Sequence, residues 1–273
     1  MKTRSVWAIA LCATLTLGGC IDTATKIIVK TDGSGILEKT IVVSTNLVKF
    51  LEGMGMGGDA KTIEEGMLSE KSLKAEASQM GAGVSFVSSQ KITTTKGNGY
   101  KAVYSFKDIT TLRLDQNPAG DVTLPSGGGA AGSGQASAPE LYTFKFTKGS
   151  PATLTIVAPK AQTSPSAAKG TQAQTDPKQA EQMLAAIRPL YADLRMAVSV
   201  EVLGKIAETN ALYVDGSTVT LMDLDFGKIL ADDAVFKKLA STQAQSVKDI
   251  QELVKTMPGV KLDAQESVTI KFR

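Results

Sequence analysis

The side chains that most often carry catalysis or bind metals are scarce in this chain. It has no histidine and two cysteines, Cys12 and Cys20, of which Cys12 lies inside an apolar run. Without histidine, Ser-His-Asp and Cys-His catalytic arrangements and histidine-containing metal sites are excluded. With one cysteine outside the apolar run, disulfides and thiolate clusters are excluded as well. We therefore predict no catalytic residue, no metal site and no cofactor, and Cys20 is left as the residue with a chemistry of its own.

The surroundings of Cys20 indicate what that chemistry is. Lys2 and Arg4 precede an apolar run over residues 6–17, which has the charge layout of an export signal and is short for a membrane span. The run ends in Leu17-Gly18-Gly19-Cys20, which resembles the lipobox of bacterial lipoproteins. The resemblance implies a signal peptide over residues 1–19, cleavage before Cys20, and acylation of its sulfur and new amine by fatty acids such as palmitate.

Two other interpretations of Cys20 stay open, namely an ordinary thiol after conventional signal cleavage and a segment that is never cleaved. A lone exposed thiol is unusual in exported proteins, where cysteines usually pair. In the enterobacterial sorting pattern, Ile21 rather than an aspartate directly after the cysteine favours the outer membrane. Asp22, one place later, weakens this preference. We expect a protein exported from the cytoplasm and lipid-anchored at the cell membrane or the outer membrane.

The composition limits the partners of the rest of the chain. Removing residues 1–19 from the 273-residue chain leaves 254 residues, with 28 basic and 27 acidic side chains and a net charge of +1. This length suffices for one large domain or two small ones. A nearly neutral body with few aromatic residues offers no electrostatic or stacking basis for binding nucleic acid. The membrane, through the N-terminal lipid, is the partner that the sequence indicates.

A glycine-rich segment invites a cofactor interpretation. Gly53-Met54-Gly55-Met56-Gly57-Gly58 matches G-x-G-x-x-G, but a dinucleotide site needs a strand before this motif and a helix after it. A short helix is expected before it here, so a flexible loop is favoured. Met54 and Met56 are then candidates for an adaptable apolar lip that contacts a ligand or the membrane. The alternative is that both methionines fold back onto the core.

Two further matches are weaker. Asp223-Leu224-Asp225-Phe226-Gly227 has the start of a calcium loop, but position twelve is Ala234 rather than glutamate. Asp223 and Asp225 are better interpreted as the solvated side of a strand. Ser166 and Lys169 have Ser-x-x-Lys spacing but lie in linker-like composition, where a buried, positioned lysine is not expected.

Alternating apolar residues and glycine-containing turns predict an antiparallel sheet rich in hairpins. A first strand is expected at residues 26–30, with five residues between it and Cys20, and a turn is expected at Asp32-Gly33-Ser34-Gly35. Apolar positions at helical spacing predict helices as well. Further strands are expected at residues 36–44, 84–95, 100–106, 141–147, 152–157, 196–202, 206–213, 218–225 and 268–272, and helices at residues 45–53, 59–80, 177–194, 232–239 and 241–257.

These elements predict an α+β fold, with helices packed on one face of the sheet. We expect an N-terminal α+β part over residues 20–115, low-complexity loops around a hairpin over residues 116–175, and a C-terminal α+β part over residues 176–273. The two α+β parts are expected to share one sheet. The polar composition of residues 116–139 and 158–175 predicts loops, or alternatively domain linkers.

The Asp-Gly-Ser-Gly turn soon after the lipobox, together with the segment Asn210-Ala211-Leu212-Tyr213-Val214-Asp215-Gly216, resembles the LppM-like group of bacterial lipoproteins. The resemblance implies a β/α body related to lipid-handling folds, and it transfers no functional residue because the shared motifs are turns. We expect a non-catalytic binding or interaction module, with an apolar envelope molecule as candidate ligand. The alternative is a structural or assembly lipoprotein that docks another envelope protein through a sheet edge.

Overall fold

The computed structural model describes residues 21–53, 69–115, 141–158, 191–231 and 257–273. Strands dominate these residues and form two sheets, one of eight strands and one of five. The strands are β1 (Ile21–Val29), β2 (Gly35–Ser44), β3 (Ser85–Thr93), β4 (Gly97–Phe106), β5 (Arg113–Asp115), β6 (Leu141–Thr147), β7 (Ala152–Val157), β8 (Arg195–Val202), β9 (Ile206–Thr209), β10 (Val214–Asp215), β11 (Thr218–Asp225), β12 (Val260–Leu262) and β13 (Ser267–Phe272). The helices are α1 (Thr45–Gly53), α2 (Glu70–Gln79) and α3 (Phe226–Ala231), with a 3₁₀ turn at Ile109–Thr111.

The first sheet is built around β1. Its order is β10-β11-β8-β1-β2-β4-β3, and β12 pairs with β11 outside this path. β1 runs antiparallel to β2, so that Ile21 lies opposite Val43 and Val29 opposite Gly35. On its other side β1 runs parallel to β8. This parallel pair joins the start of the described chain to a strand from its last third.

The turn between β1 and β2 sets the register of the two strands. Gly33 has a φ of 88°, a left-handed conformation that glycine adopts without a steric penalty. The hydroxyl and the backbone N–H of Ser34 donate to Asp32 Oδ1 at 2.7 and 2.9 Å, and together they lower the pKa of Asp32. The hairpin predicted from Asp-Gly-Ser is confirmed, although β1 begins at Ile21 rather than at residue 26.

The second sheet has the order β5-β6-β7-β13-β9 and is antiparallel throughout. The chain passes from the first sheet to the second between β8 and β9, where Lys205 and Arg273 exchange backbone hydrogen bonds. It returns at Asn210. The Asn210 side chain donates to the Ser267 carbonyl at 3.0 Å and accepts from the Thr269 N–H at 2.7 Å, which holds the corner against β13.

Both sheets bury one face in the same core. Alternate residues of β1 are buried, from Ile21 to Val29, and so are alternate residues of β7 and β13 in the second sheet. Buried residues of the two sheets form one continuous hydrophobic cluster. Burial of each large apolar side chain contributes about 1.5–3 kcal/mol, so this shared interior is the main source of stability.

The other face of the first sheet is charged and half-exposed. Ion pairs cross neighbouring strands, with Nζ–O distances of 2.5 Å for Lys26–Glu201 and 3.0 Å for Lys101–Glu38. Each such solvated pair contributes about 0–1 kcal/mol. This face is therefore hydrated, and its ion pairs add little to the stability of the fold.

The predicted α+β class, with helices packed on one face of a single sheet, is wrong. The described helices have only 9, 10 and 6 residues, and buried residues of a second sheet lie in the core that the first sheet faces. The alternation of β6, β7 and β13 was correctly interpreted as strands. Alternation does not reveal which strands share a sheet, because every half-buried strand shows the same period of two.

Several predicted segments fall partly or wholly outside the described residues. These are the linker-like stretches, most of the helix expected at residues 177–194, and the short helices expected after residue 231. Of the helix expected at residues 59–80, the described part is α2, whose N-cap is Ser69. The domain boundaries stay a prediction.

Candidate functional site

A lysine faces the interior of the first sheet. Lys39 lies on β2 at a position where the alternation places buried side chains, and it is only 3% exposed. A charged group in such a place is costly unless it is paired and hydrogen-bonded. Lysine is almost never fully buried unless it is paired, and a buried polar side chain is the informative exception in a core, so the surroundings of Lys39 form the candidate site.

Lys39 is paired with a glutamate from α2. Lys39 Nζ donates to Glu76 Oε1, and the Tyr104 hydroxyl donates to Glu76 Oε2 at 2.7 Å. The lysine and glutamate side chains are 4% and 13% exposed. Both carboxylate oxygens are thus engaged, one by a cation and one by a phenol, and the pair has no net charge. We call Lys39, Glu76 and Tyr104 the buried polar cluster.

The local structure of α2 directs Glu76 at the sheet. Ser69 caps the helix by accepting from the Ser72 N–H at 3.2 Å, and Leu73 and Ala77 are buried on the same side of the helix. Residues one turn apart share a helix face, so Glu76 lies between these two apolar contacts. The helix position is therefore coupled to the core, and Glu76 is held toward β2 and β4.

The chain leaving α2 is equally constrained. Gly81 has a φ of 137°, and a Cβ at this position would lie 2.1 Å from the Thr111 carbonyl oxygen. The Arg113 N–H donates to the Met80 carbonyl at 2.7 Å. The end of α2 is thereby tied to the segment that leads into the second sheet, which leaves Glu76 little freedom to move.

Two threonines extend the polar character of this inner face onto β1. Thr25 lies directly opposite Lys39 in the β1–β2 register, and Thr23 lies two residues closer to the start of the strand. Their relative exposures are 0% for Thr23 and 2% for Thr25. Among the described residues, neither hydroxyl has a hydrogen-bond partner. A buried polar group left unsatisfied costs about 1–3 kcal/mol, so this pair requires an explanation.

The arrangement places hydrogen-bonding groups within apolar surroundings. The ammonium of Lys39 is compensated by Glu76, and the threonine hydroxyls can each donate and accept.

The site residues predicted from the sequence are not part of the described structure. Cys20, Met54 and Met56 lie outside the described residues, so the lipid attachment and the apolar lip stay predictions. β1 begins at Ile21, however, which removes the five-residue tether expected between the cysteine and the first strand. β1 therefore comes directly after the predicted attachment residue in the sequence.

Asp223 and Asp225 lie on β11 as expected, at its half-exposed end. Arg195 Nε and Nη2 donate to the two oxygens of Asp223 at 2.8 and 3.0 Å, and Asp225 accepts from the Lys228 N–H at 3.2 Å. Among the described residues no group of three or more histidine, cysteine, aspartate or glutamate side chains is placed to hold a metal ion. The two aspartates form ion pairs and a cap for α3.

Sequence reasoning missed the buried polar cluster and the two threonines. One signal was available, since Lys39 interrupts the alternation of an otherwise apolar inward row on β2. The sequence could not link Glu76 and Tyr104 to Lys39, because Glu76 lies 37 residues from Lys39 and Tyr104 lies a further 28 residues from Glu76.

Comparisons with known proteins leave the family open. No protein-family model matches the chain, and no curated protein matches it. Among solved structures, the NMR structure of the folded domain of Mycobacterium tuberculosis LppM aligns over 94% of this chain and 91% of that chain, with 10% sequence identity and a TM-score of 0.32. The resemblance to LppM-like lipoproteins stays a prediction.

Within the described parts of the chain, no helix has the length and apolar character required to cross a bilayer.

Proposed function

We propose that this protein is a lipid-anchored envelope lipoprotein whose two-sheet body is a non-catalytic binding module for an apolar ligand taken from the membrane. The observation that carries the proposal is the inward row of β1, which begins at Ile21, one residue after the predicted attachment site Cys20. The interior of the body therefore starts next to the anchor.

The dimensions of β1 support this placement. An extended chain advances about 3.3 Å per residue, so chain length limits Thr23 to at most about 10 Å and Thr25 to at most about 17 Å from Cys20. Two acyl chains hold an anchor stably at the bilayer surface. Without a tether, the end of the first sheet that carries Ile21 is held at that surface, and an apolar molecule leaving the membrane reaches the inner face over a short distance.

The composition of the shared core supports the ligand class. Among the described residues this core is mostly apolar, and its buried polar or charged residues are Thr23, Thr25, Lys39, Ser44 and Asp263. Ligand sites of this kind combine apolar walls with a few placed polar groups that orient the ligand. The apolar lip predicted at Met54 and Met56, which follow α1 in the sequence, is the proposed point of entry for the ligand.

Native extraction of the anchored protein, followed by mass spectrometry of co-purifying lipids and proteins, tests the proposal. A matched control carries residues 1–20 fused to an unrelated soluble domain, so that both proteins share anchor and surrounding lipids. We expect one class of apolar molecule to be enriched with the full chain and depleted by Met54→Ser/Met56→Ser. Identical lipid profiles for the full chain and the control would remove the proposal.

A second function, docking of another envelope protein, is supported by β3. β3 is an edge strand of the first sheet. It is nine residues long and largely exposed, and β4 is its partner among the described strands. The register shifts between Phe86 and Ser88, and the intervening Val87 is 55% exposed. An exposed edge can accept a strand of another chain, whereas such a bulge hinders pairing. Enrichment of one protein, lost on Val87→Pro, would favour docking over lipid binding.

A further inference from the structure

The two buried threonines and the buried polar cluster point to the chemistry of the ligand, and this inference rests on the proposed function. We infer that they form a subsite for the uncharged head of an amphipathic lipid, one that carries an ester carbonyl and a free hydroxyl, as acylglycerols do. The acyl chain would lie along the apolar part of the inner face.

The first argument is the state of the two hydroxyls. Thr23 and Thr25 are almost fully buried on the central region of the first sheet, and neither finds a hydrogen-bond partner among the described residues. Buried hydroxyls in folded proteins are nearly always satisfied by protein, water or ligand. Valine has the same shape as threonine and a higher preference for strands, so a purely structural role would not call for threonine at both positions.

The second argument is charge. Lys39 directly opposite Thr25 is already neutralised by Glu76, and Tyr104 occupies the second carboxylate oxygen. A fatty-acid carboxylate or a phosphate placed here would be desolvated without a counter-ion, which is strongly unfavourable in a protein interior. An ester or a hydroxyl needs only hydrogen-bonding partners. The cluster therefore selects against charged heads and for neutral ones.

The third argument is spacing. Thr23 and Thr25 project from the same face of β1, two residues apart, so their side chains are separated by about 6.6 Å along the strand. Two polar groups a few bonds apart in one ligand, such as the ester carbonyl and the terminal hydroxyl of a monoacylglycerol, span a comparable distance. One hydroxyl then donates to the carbonyl and the other accepts from the ligand hydroxyl.

Photo-crosslinking in membranes that contain the full-length protein tests this inference. The probes are a monoacylglycerol and a free fatty acid with identical diazirine-bearing acyl chains, and mass spectrometry locates the labelled peptides. We expect saturable labelling of β1 and β2 peptides by the monoacylglycerol, about tenfold above the fatty acid, because two hydrogen bonds are made by one probe only. Thr23→Val/Thr25→Val should abolish this preference, while labelling by the acyl chains of both probes should persist.

Two further variants separate recognition from folding. Thr23→Ser/Thr25→Ser keeps both hydroxyls and should keep the preference for the ester probe, and Thr40→Val removes a hydroxyl from the outward side of β2 and should change nothing. Equal labelling by both probes, or a preference that survives the valine substitutions, would overturn the inference and leave the proposed function standing. Labelling of β1 and β2 by neither probe, as expected if the hydroxyls hold water alone, would overturn both.

Discussion

Replacing the two buried threonines by valine should stabilise the ligand-free body. In Thr23→Val and Thr25→Val the shape of the side chain is kept, and the hydroxyl that has no partner among the described residues is removed. An unsatisfied buried hydroxyl costs about 1–3 kcal/mol, so we expect a gain of about 1 kcal/mol for each substitution and about 2 kcal/mol for both. For a body of this size, each kcal/mol raises Tm by about 2–4 °C, which predicts an increase of about 4–8 °C for the double variant.

Urea denaturation and thermal unfolding of residues 21–273, purified without the anchor and delipidated, measure this effect. The denaturation midpoint should rise with an unchanged m-value, since the surface exposed on unfolding is nearly the same. Thr40→Val, on the half-exposed side of β2, serves as the matched control and should shift the midpoint by less than about 0.5 kcal/mol.

The opposite result would refute the reasoning. If Thr23→Val or Thr25→Val destabilises the delipidated body by about 1 kcal/mol or more, the hydroxyls are hydrogen-bonded in the folded protein and the argument from their unsatisfied state fails. If the variants are more stable but no longer bind the ligand, the threonine hydroxyls serve ligand binding and lower the stability of the ligand-free body. Functional sites commonly reduce stability in this way.

Three other predictions address the anchor, the buried pair and the acid limit of stability. Cys20→Ala should release the protein from membranes or leave it as a precursor, and equal labelling of wild type and variant by a fatty-acid analogue would contradict this. Lys39→Met should destabilise by about 3 kcal/mol, because the Glu76 carboxylate loses its counter-ion, and adding Glu76→Gln should recover much of the loss in urea denaturation. The Thr110 N–H donates to Asp108 at 2.9 Å and lowers the pKa of Asp108. The stability that comes from this lowered pKa is fully present above the ordinary aspartate pKa and is lost as the pH falls through the lowered value. Asp108→Asn should therefore flatten the acid limb of a plot of unfolding free energy against pH. An unchanged acid limb would contradict the prediction.

The strands were predictable because their determinants are local. Residues of β2, β7 and β11 alternate between the interior and the surface, and the glycines at turns allow φ values that other residues avoid. The predicted extended run at residues 206–213 shows the limit. It is divided between β9 in the second sheet and the approach to β10 in the first, and the division at Asn210 depends on hydrogen bonds to Ser267 and Thr269.

The candidate site lay beyond prediction for the same reason. Its members come from β1, β2, α2 and β4, and they meet only when β2 pairs with β1 and β4 and α2 is held across their inner face. The inward position of Lys39 was visible in the alternation. The partner that makes the position tolerable, Glu76, belongs to a helix whose apolar spacing says nothing about which strand it faces.

The sequence by itself determined the absence of histidine chemistry, the predicted lipid attachment at Cys20, and the positions of most strands and turns, because each follows from residue type or short-range spacing. Tertiary structure alone decided that the strands form two sheets around one core, that β1 joins β8 in parallel, and that a neutralised lysine and two buried hydroxyls share the inner face. These features depend on contacts between residues far apart in the chain, and the free energy of burial that selects them is a property of the assembled core rather than of any segment.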